Sequence, residues 1–503
     1  MSFNLIDEPW IPCITAEGEF VEVSLRDLFA RAPELLEVSC ETPIMSASIL
    51  PLALAILHRN FGPADYGEWE TLWKAGKYDM AQLDEYFAQW RERFDLFHPE
   101  RPFYQAVEDR VEPKSLIYLI HSIGNTATLF THANDAAGVQ LLPSEAARQL
   151  LAAQYFHTAG LGPAINKKRV NFKDSSYARG VIFWACGSTL FETLMLNLTA
   201  YPDEHTMASQ DDDKPSWEME DPFEERETPR GYLDYLTWTN NRVQLIPQTV
   251  DDHFSTREAV MVPAHSLGPD VPSPQKGYIQ KQKKGELTGE YSFRYFNSSR
   301  ALWRDYNSLL ERDSKAVKPP AVVEWLTGLA QDGPLDEDFP ICLMATGMLA
   351  DQAKPIFYRR EIMPLPLELL RDANLVSHIE GALTTAEKIE GGLRFALDLL
   401  ANEVLLRGAE GKPDPNARRN LIKQWRAREF YWEALEPEFR CFINYLMLDA
   451  DTALHDWAAT LKDTAQGALQ HAVSMAGGSP WALKGRVSAE RVLRSNMKKA
   501  FNE

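Results

Sequence analysis

Apolar positions recur along the chain with two periods, and the change from one to the other divides it. Near the N-terminus the period is two: Phe3 to Ile14 and Phe20 to Val23 alternate as strands joined by a Glu17-Gly18 turn. Ser24 then precedes Leu25-Arg26-Asp27, predicting an N-cap with an acid at its third position. Ile49 to His58 predicts an apolar helix, and the Trp- and Tyr-rich stretch Tyr66 to Phe94 predicts half-buried helices. Residues 98–180 are the least regular. They hold a loop from Phe130 to Gly138, a helix from Ser144 to Phe156 and a glycine turn from His157 to Pro163. A basic stretch with Lys167, Lys168, Arg169, Lys173 and Arg179 follows, and Val181 to Leu198 reads as a buried strand leading into a helix. Tyr232 to Ile246 predicts a strand pair turning at Thr239-Asn240-Asn241. Pro263 to Glu290 is loop-rich, with Lys276, Lys281, Lys283 and Lys284 on a turn ahead of Tyr291 to Tyr295.

Two further apolar runs, FPICLMATGML from Phe339 and PIFYRREIMPLP to Pro366, predict a β-hairpin. Its tip, Ala350-Asp351-Gln352-Ala353-Lys354, has no hairpin glycine and carries one planar amide. A stiff stalk with such a tip suits insertion into a base step, although the same segment also reads as a solvated loop. Beyond Pro366 the period becomes helical. Val376, Ile379, Leu383, Ala386, Ile389, Leu393, Leu397, Leu400 and Val404 recur at spacings of three and four. They predict a helix of ~30 residues, about 45 Å long. Asn416–Arg428, Arg428–Leu448, Thr452–Met475 and Ser488–Phe501 continue as helical blocks, punctuated by Pro415, Pro437 and Gly477-Gly478-Ser479-Pro480. The expected fold is α+β: a mixed N-terminal domain over residues 1–365 with small antiparallel sheets and hairpins, then a four-helix bundle over 366–503.

Composition narrows the function. With 45% hydrophobic and 25% charged residues among 503, the chain resembles an ordinary globular protein. The run Ile49 to Leu57, broken by Pro51, is too short for a bilayer, and MSFNLIDEPW lacks the basic region of a signal peptide. Cys13, Cys40, Cys186, Cys342 and Cys441 are scattered without a CxxC pair, so neither a disulfide framework nor zinc is expected. These features predict a cytoplasmic chain without metal or cofactor. A net charge of −20 disfavours a free-standing nucleic-acid binder. Eleven acids crowd Asp203 to Glu227, however, whereas Trp481 to Glu503 carries six basic residues against two acids. A basic surface on an acidic body still grips phosphate, with help from partner subunits.

No catalytic pattern emerges. The histidines form no HxxxH or HExxH, Cys186 lies in an apolar run, Ser46 and Ser48 lack a nucleophile elbow, and no Gly-Lys phosphate loop is present. For nucleic acid, each feature has two readings. Gly160 and Gly162 bring backbone close to a duplex or simply turn the chain, and Lys283-Lys284-Gly285 contacts phosphate or solvent. Arg418, Arg419, Lys423, Arg426 and Arg428 form a phosphate-binding stripe or a soluble helix face, and Phe130 stacks on a base or anchors its loop.

Taken in order, these pieces resemble the CasA family, the large subunit of the type I-E CRISPR surveillance complex (Cascade). The resemblance begins at Asn4-Leu5-Ile6-Asp7 and Trp10-Ile11-Pro12. It continues through the Phe130 loop, the Gly160/Gly162 turn with Ala178-Arg179-Gly180, the Trp238 to Ile246 strands, Lys283-Lys284-Gly285-Glu286, the Asp351-Gln352-Ala353 tip and the helical C-terminus. It implies a non-catalytic recognition module. Phe130, Thr131, His132 and Asn134 would meet the 5′ handle of the CRISPR RNA. Gly160, Leu161, Gly162, Lys283, Lys284, Asp351, Gln352 and Ala353 would face the PAM duplex from the minor groove, with Gln352 as the strand-separating wedge. Arg418, Arg419, Lys423 and Arg426 would guide flanking DNA. Implied partners are the other Cascade subunits, the RNA, double-stranded target and a recruited helicase-nuclease. Two departures stand out. Asp351 occupies a position where asparagine is expected and cannot donate to groove acceptors while ionised. Thr239 to His265 lacks the cysteines that form a metal site in some relatives. The competing readings are a metal-dependent nuclease or hydrolase using the acids of 203–227, and a scaffold that touches no DNA.

Overall fold

A computed structural model describes residues 2–120, 139–200, 212–250, 253–268, 271–283, 285–311, 314–332, 335–336, 339–351 and 354–502. It separates into two compact units, one formed by Met1–Leu302 with Glu311–Leu367, the other by Trp303–Leu310 with Glu368–Glu503.

The first unit is mixed. Its opening strands Ile11–Thr15 and Phe20–Val23 pair antiparallel as the alternation predicts, with Leu35–Val38 on the other edge. Ser24 caps the helix Leu25–Ala30 by accepting from the Asp27 amide. The 19-residue helix Pro43–Phe61 has the length and apolarity of a membrane span, yet most of it is buried. It packs against the helix Pro143–Phe156 as core, because an element apolar on every side must be covered. Ser46 and Ser48 are structural: Ser46 accepts from the Cys40 amide and Ser48 donates to the Ile44 carbonyl.

Small antiparallel sheets surround this core. In one, Cys342–Asp351 lies between Lys354–Pro364 and Val181–Cys186. In another, Tyr278–Lys283 lies between Glu286–Phe293 and Val317–Lys318. The strand pair expected to turn at Thr239-Asn240-Asn241 is built differently. Tyr232–Leu236 is helical, and the long hairpin is Asn241–Val250 with His253–Pro263. Asn240 and Asn241 are buried instead, donating to the carbonyls of Gln154 and Ala153, so their amides serve the core rather than a turn.

The second unit is helical, built on Ala373–Leu406, Ala427–Leu446, Ala450–Ala476 and Pro480–Asn502, with a shorter helix Pro415–Trp425. Its 34-residue first helix begins at an Asp372 cap and ends where Arg407 turns left-handed at φ 49°. Pro437 does not break the chain but lies inside the helix Ala427–Leu446, whose buried face Tyr431, Leu435, Phe439 and Phe442 runs across it. The last helix starts at Pro480 rather than near Ser488, since proline suits a first turn whose amides lack partners anyway. Trp303 joins this core against Trp432 and Phe439.

Candidate nucleic-acid interface

The hairpin predicted around residue 350 is present. Its pairing runs from Cys342↔Pro364 to Asp351↔Lys354. The neighbouring strand Val181–Cys186 pairs only as far as Gly347. Met348 to Asp351 and their partners therefore project beyond the sheet as a two-stranded stalk, about 13 Å long at ~3.3 Å per residue. A bulge between Leu349 and Ala350 leaves one extra residue on the returning strand, which adds twist to the stalk. Pairing stops at Asp351 and Lys354; Gln352 and Ala353 lie outside the described residues. The hairpin's arginines are held by the protein. Arg359 pairs with Glu361 at 2.7 Å, and Arg360 pairs with Glu37.

Two other predicted loops spring from the same place. The loop 157–175 is closed at its neck, where the Ser175 amide donates to the His157 carbonyl at 2.8 Å. Above the neck, Gly160 and Phe172 exchange backbone hydrogen bonds of 3.2 and 2.9 Å. Gly162 is fixed by packing, because a Cβ there would sit 1.9 Å from the Val170 carbonyl oxygen. At Gly160 an added Cβ would find nothing closer than 4.0 Å, and Leu161 between them is 75% exposed. His157 is half-buried with its ring edge-on to Phe172, and desolvation pushes its pKa down to about 4. The second loop tops the hairpin Tyr278–Lys283/Glu286–Phe293. Lys283 is exposed opposite Glu286, and Gly285 supplies a φ of +87°; Lys284 lies outside the described residues.

All three converge on the first residues of Val181–Cys186. Val181 is the register partner of Gly347, its amide donates to the Arg294 carbonyl at 2.8 Å, and Ile182 bridges to Lys276. Gly180, at φ +84°, lies so close to Phe293 that a Cβ would come within 2.8 Å. Lys276 is the residue missed by sequence reasoning. Expected on a surface turn, it is 3% exposed, donates to the Ser176 carbonyl at 2.6 Å and faces the Phe293 ring at 4.1 Å. The bridge between Ile182 and Lys276 is long-range, so no local pattern announces it.

The remaining predicted residues divide. Phe130, Thr131, His132 and Asn134 lie outside the described residues. On the helical unit, Arg418 pairs with Asp398 at 3.3 Å, Arg426 with Glu433 at 3.7 Å, and Arg428 with Glu390. Arg419 and Lys423, four residues apart, are exposed without an ion-pair partner among the described residues. The expected four-cation stripe is thus two free cations beside neutralised ones.

In the described part of the acidic segment Glu218 is buried and Asp213 half-buried, whereas the other acids are exposed and several of them pair with arginines. Glu218 is buried against Arg59 and Tyr86, Glu220 pairs with Arg101, and Asp212 and Glu224 pair with Arg230. Asp213 accepts from the amides of Leu233 and Asp234, and burial pushes its pKa up to about 6. Among the described residues, no three His, Cys, Asp or Glu side chains group as metal ligands. A cavity of about 290 Å³ is lined by Arg93, Arg101, Trp217, Phe223 and Arg242, of which Arg101 pairs with Glu220 and Arg242 with Glu108.

Against this geometry, known proteins are informative. A family model described as CRISPR-associated protein Cse1 matches residues 4–468. The CRISPR-associated protein CasA/Cse1 of Thermus thermophilus is 30% identical over 482 residues, covering 92% of this chain and 91% of its own. A crystal structure of Thermus thermophilus CasA aligns with a TM-score of 0.82 at 28% identity, covering 99% of this chain and all of that one. A chain of a CRISPR RNA-guided surveillance complex aligns with a TM-score of 0.75 at 22% identity, over 99% of both, a likeness of fold.

Proposed function

Because the chain belongs to the CRISPR-associated Cse1 (CasA) family, we propose that it is the non-catalytic large subunit of an RNA-guided DNA surveillance complex. In this reading it recognises the PAM of double-stranded target from the minor groove and starts strand separation. It works with the other subunits and the 5′ handle of the CRISPR RNA, which meets the Phe130 to Asn134 loop, and it recruits a helicase-nuclease to the opened target. The observation that supports this most is the stalk running past its own sheet to Asp351 and Lys354, with the Gly160 loop and the Lys283 hairpin rooted on the same strand.

The chemistry follows from that arrangement. Minor-groove acceptors distinguish few sequences, so the reader tolerates several PAMs. Backbone at Gly160 has room to approach a groove because no side chain stands there. Lys283 supplies charge for phosphate. Gln352 enters the step below and unstacks it, at a cost of a few kcal/mol that guide pairing offsets. No bond is broken, so no nucleophile, base or metal is required. On the helical unit, Arg419 and Lys423 steer flanking duplex.

The test is target binding and opening by the reconstituted complex, comparing the native chain with Gln352→Ala on matched and scrambled PAMs at two salt concentrations. Opening should fall more than initial binding. Equal opening by the variant removes the wedge. Loss of binding on neutralising Lys283 and Lys284 separates this reading from a scaffold that touches no DNA.

A further inference from the structure

We propose that the basic tip Lys167-Lys168-Arg169 is a separate phosphate clamp for the target duplex. It is distinct from the glycines below it and from the Lys283 hairpin. The inference rests on the DNA-reading role proposed above and assigns a new group of residues to it.

The tip is a hairpin of its own. Ala164–Ile165 pairs with Lys168–Arg169, and the turn places Asn166 at φ 48° and Lys167 at φ 67°. Both turn positions need the left-handed region, for which Asn-Gly is the favoured pair because glycine adopts it without strain. Here the second position holds lysine. A charge at the apex is kept where folding alone would favour its absence, and such strain gathers at functional positions.

Charge distribution points the same way. Residues 157–180 contain five Lys and Arg against the single acid Asp174, a local balance of +4 in a chain of −20. Asp174 pairs with Arg179 at 2.5 Å. Lys167, Lys168 and Arg169 are exposed without an ion-pair partner among the described residues. Elsewhere in this unit, cations such as Arg59, Arg101, Arg226 and Arg360 are paired with acids.

The shape suggests what the tip grips. Successive strand positions project to opposite faces, so Lys168 and Arg169 point to the two sides while Lys167 caps the end. A flat protein surface would meet only one side. A narrow groove walled by phosphates meets both sides and the apex, and a duplex minor groove has that form. The tip is also pre-positioned. The Val170 amide donates to the Pro163 carbonyl at 3.0 Å, and Gly162 lies under the Val170 carbonyl. The clamp is therefore carried by the loop that the reading above brings to the groove.

The experiment uses the reconstituted complex with matched and scrambled PAM duplexes across a salt series. Combined Lys167→Ala, Lys168→Ala and Arg169→Ala should make the slope of log K against log salt shallower by about 2 to 3, at an unchanged ratio of matched to scrambled affinity. The charge-keeping set Lys167→Arg, Lys168→Arg and Arg169→Lys should retain the native slope. Lys167→Gly guards against a folding artefact: it relieves the turn, so the chain should melt higher while the slope loses about 0.9. An unchanged slope in both the alanine set and Lys167→Gly overturns the proposal. So does an effect confined to guide-RNA loading, which would make the tip an RNA contact. If the native complex itself shows no PAM discrimination, the DNA-reading role fails; if it discriminates and only the slopes stay put, the clamp alone fails.

Discussion

The ammonium of Lys276 donates to the carbonyl of Ser176 at 2.6 Å, tying the root of the Lys283 hairpin to the root of the glycine loop. Burial removes that ammonium from water and pushes its pKa from 10.5 down to about 7, with Asp174 opposing and Arg179 reinforcing the shift. Its folded value lies below its unfolded one, so between about pH 7 and 10.5 the unfolded chain binds the extra proton. Stability from this group therefore rises with pH across that window and is lost as pH falls through it. Lys276→Met should flatten the rise, by up to about 1.4 kcal/mol per pH unit. Denaturant unfolding of native and variant chains at about pH 7 and about pH 9 checks it. Parallel slopes would show that the amine stays charged.

Gly160 and Gly162 should respond differently to one methyl group. A Cβ at Gly162 would meet the Val170 carbonyl at 1.9 Å, and backbone cannot step aside cheaply. Gly162→Ala should cost about 1 to 3 kcal/mol of stability. At Gly160 the nearest atom is 4.0 Å away, so Gly160→Ala should leave stability within about 0.5 kcal/mol. It should still weaken DNA binding by the complex, because the methyl stands where the groove would approach. Melting curves and duplex titrations separate the two. Normal binding by Gly160→Ala would mean that this backbone keeps its distance from DNA.

How much of this is legible in the sequence follows from the range of the interactions involved. The hairpin to Asp351 and the long helix from Ala373 are visible because period-two and period-3.6 patterns are local. Tyr232–Leu236 reads as strand because its alternation is too short to separate from one helical turn, and Asn240 reads as a turn because its buried partner, Gln154, lies 86 residues away. Lys276 is hidden for the same reason. The arginines near residue 420 look equivalent in sequence, whereas Asp398 and Glu390, supplied by another helix, select which of them are neutralised.

Asp351 is the last register partner of the stalk, opposite Lys354. Brought to a minor groove, a carboxylate is repelled by the base acceptors, and phosphates on either side add to the cost. Asp351→Asn supplies a donor and removes the charge. It should tighten matched-PAM binding by about 1 kcal/mol, roughly fivefold. Titration of matched duplex at fixed salt measures it. Unchanged affinity would place this position away from the groove.

Cys186 and Cys342, far apart in sequence, are register partners on neighbouring strands. Burial raises the thiols of Cys13, Cys40 and Cys186 to about 12, whereas Cys441 is exposed. Thiolate is the reactive form, so at neutral pH an aromatic disulfide reagent should titrate the exposed Cys441 quickly and Cys13, Cys40 and Cys186 only slowly until the chain unfolds. Loss of the fast phase in Cys441→Ser identifies it. A fast phase that disappears in Cys186→Ser would show that the root of the stalk opens in solution.

On the helix Pro415–Trp425, adjacent arginines should behave oppositely. Arg418 pairs with Asp398 at 3.3 Å with both side chains 36% exposed, a bridge worth at most about 1 kcal/mol to stability. Its charge is already answered, so Arg418→Ala should change the salt slope of DNA binding little. Arg419 and Lys423 have no such partner among the described residues and lie one helical turn apart on one face. Their joint replacement by alanine should leave folding intact and make the slope shallower by about 2, one counterion for each lost phosphate contact. Salt titrations of the complex on a duplex with a long PAM-proximal flank, and on one trimmed at the PAM, provide the measurement. If these residues steer flanking DNA as proposed, rather than the PAM itself, the difference should disappear on the trimmed duplex. If Arg418→Ala carries the effect instead, its guanidinium leaves Asp398 for phosphate on binding, and the ion pair holds it in reserve rather than neutralising it.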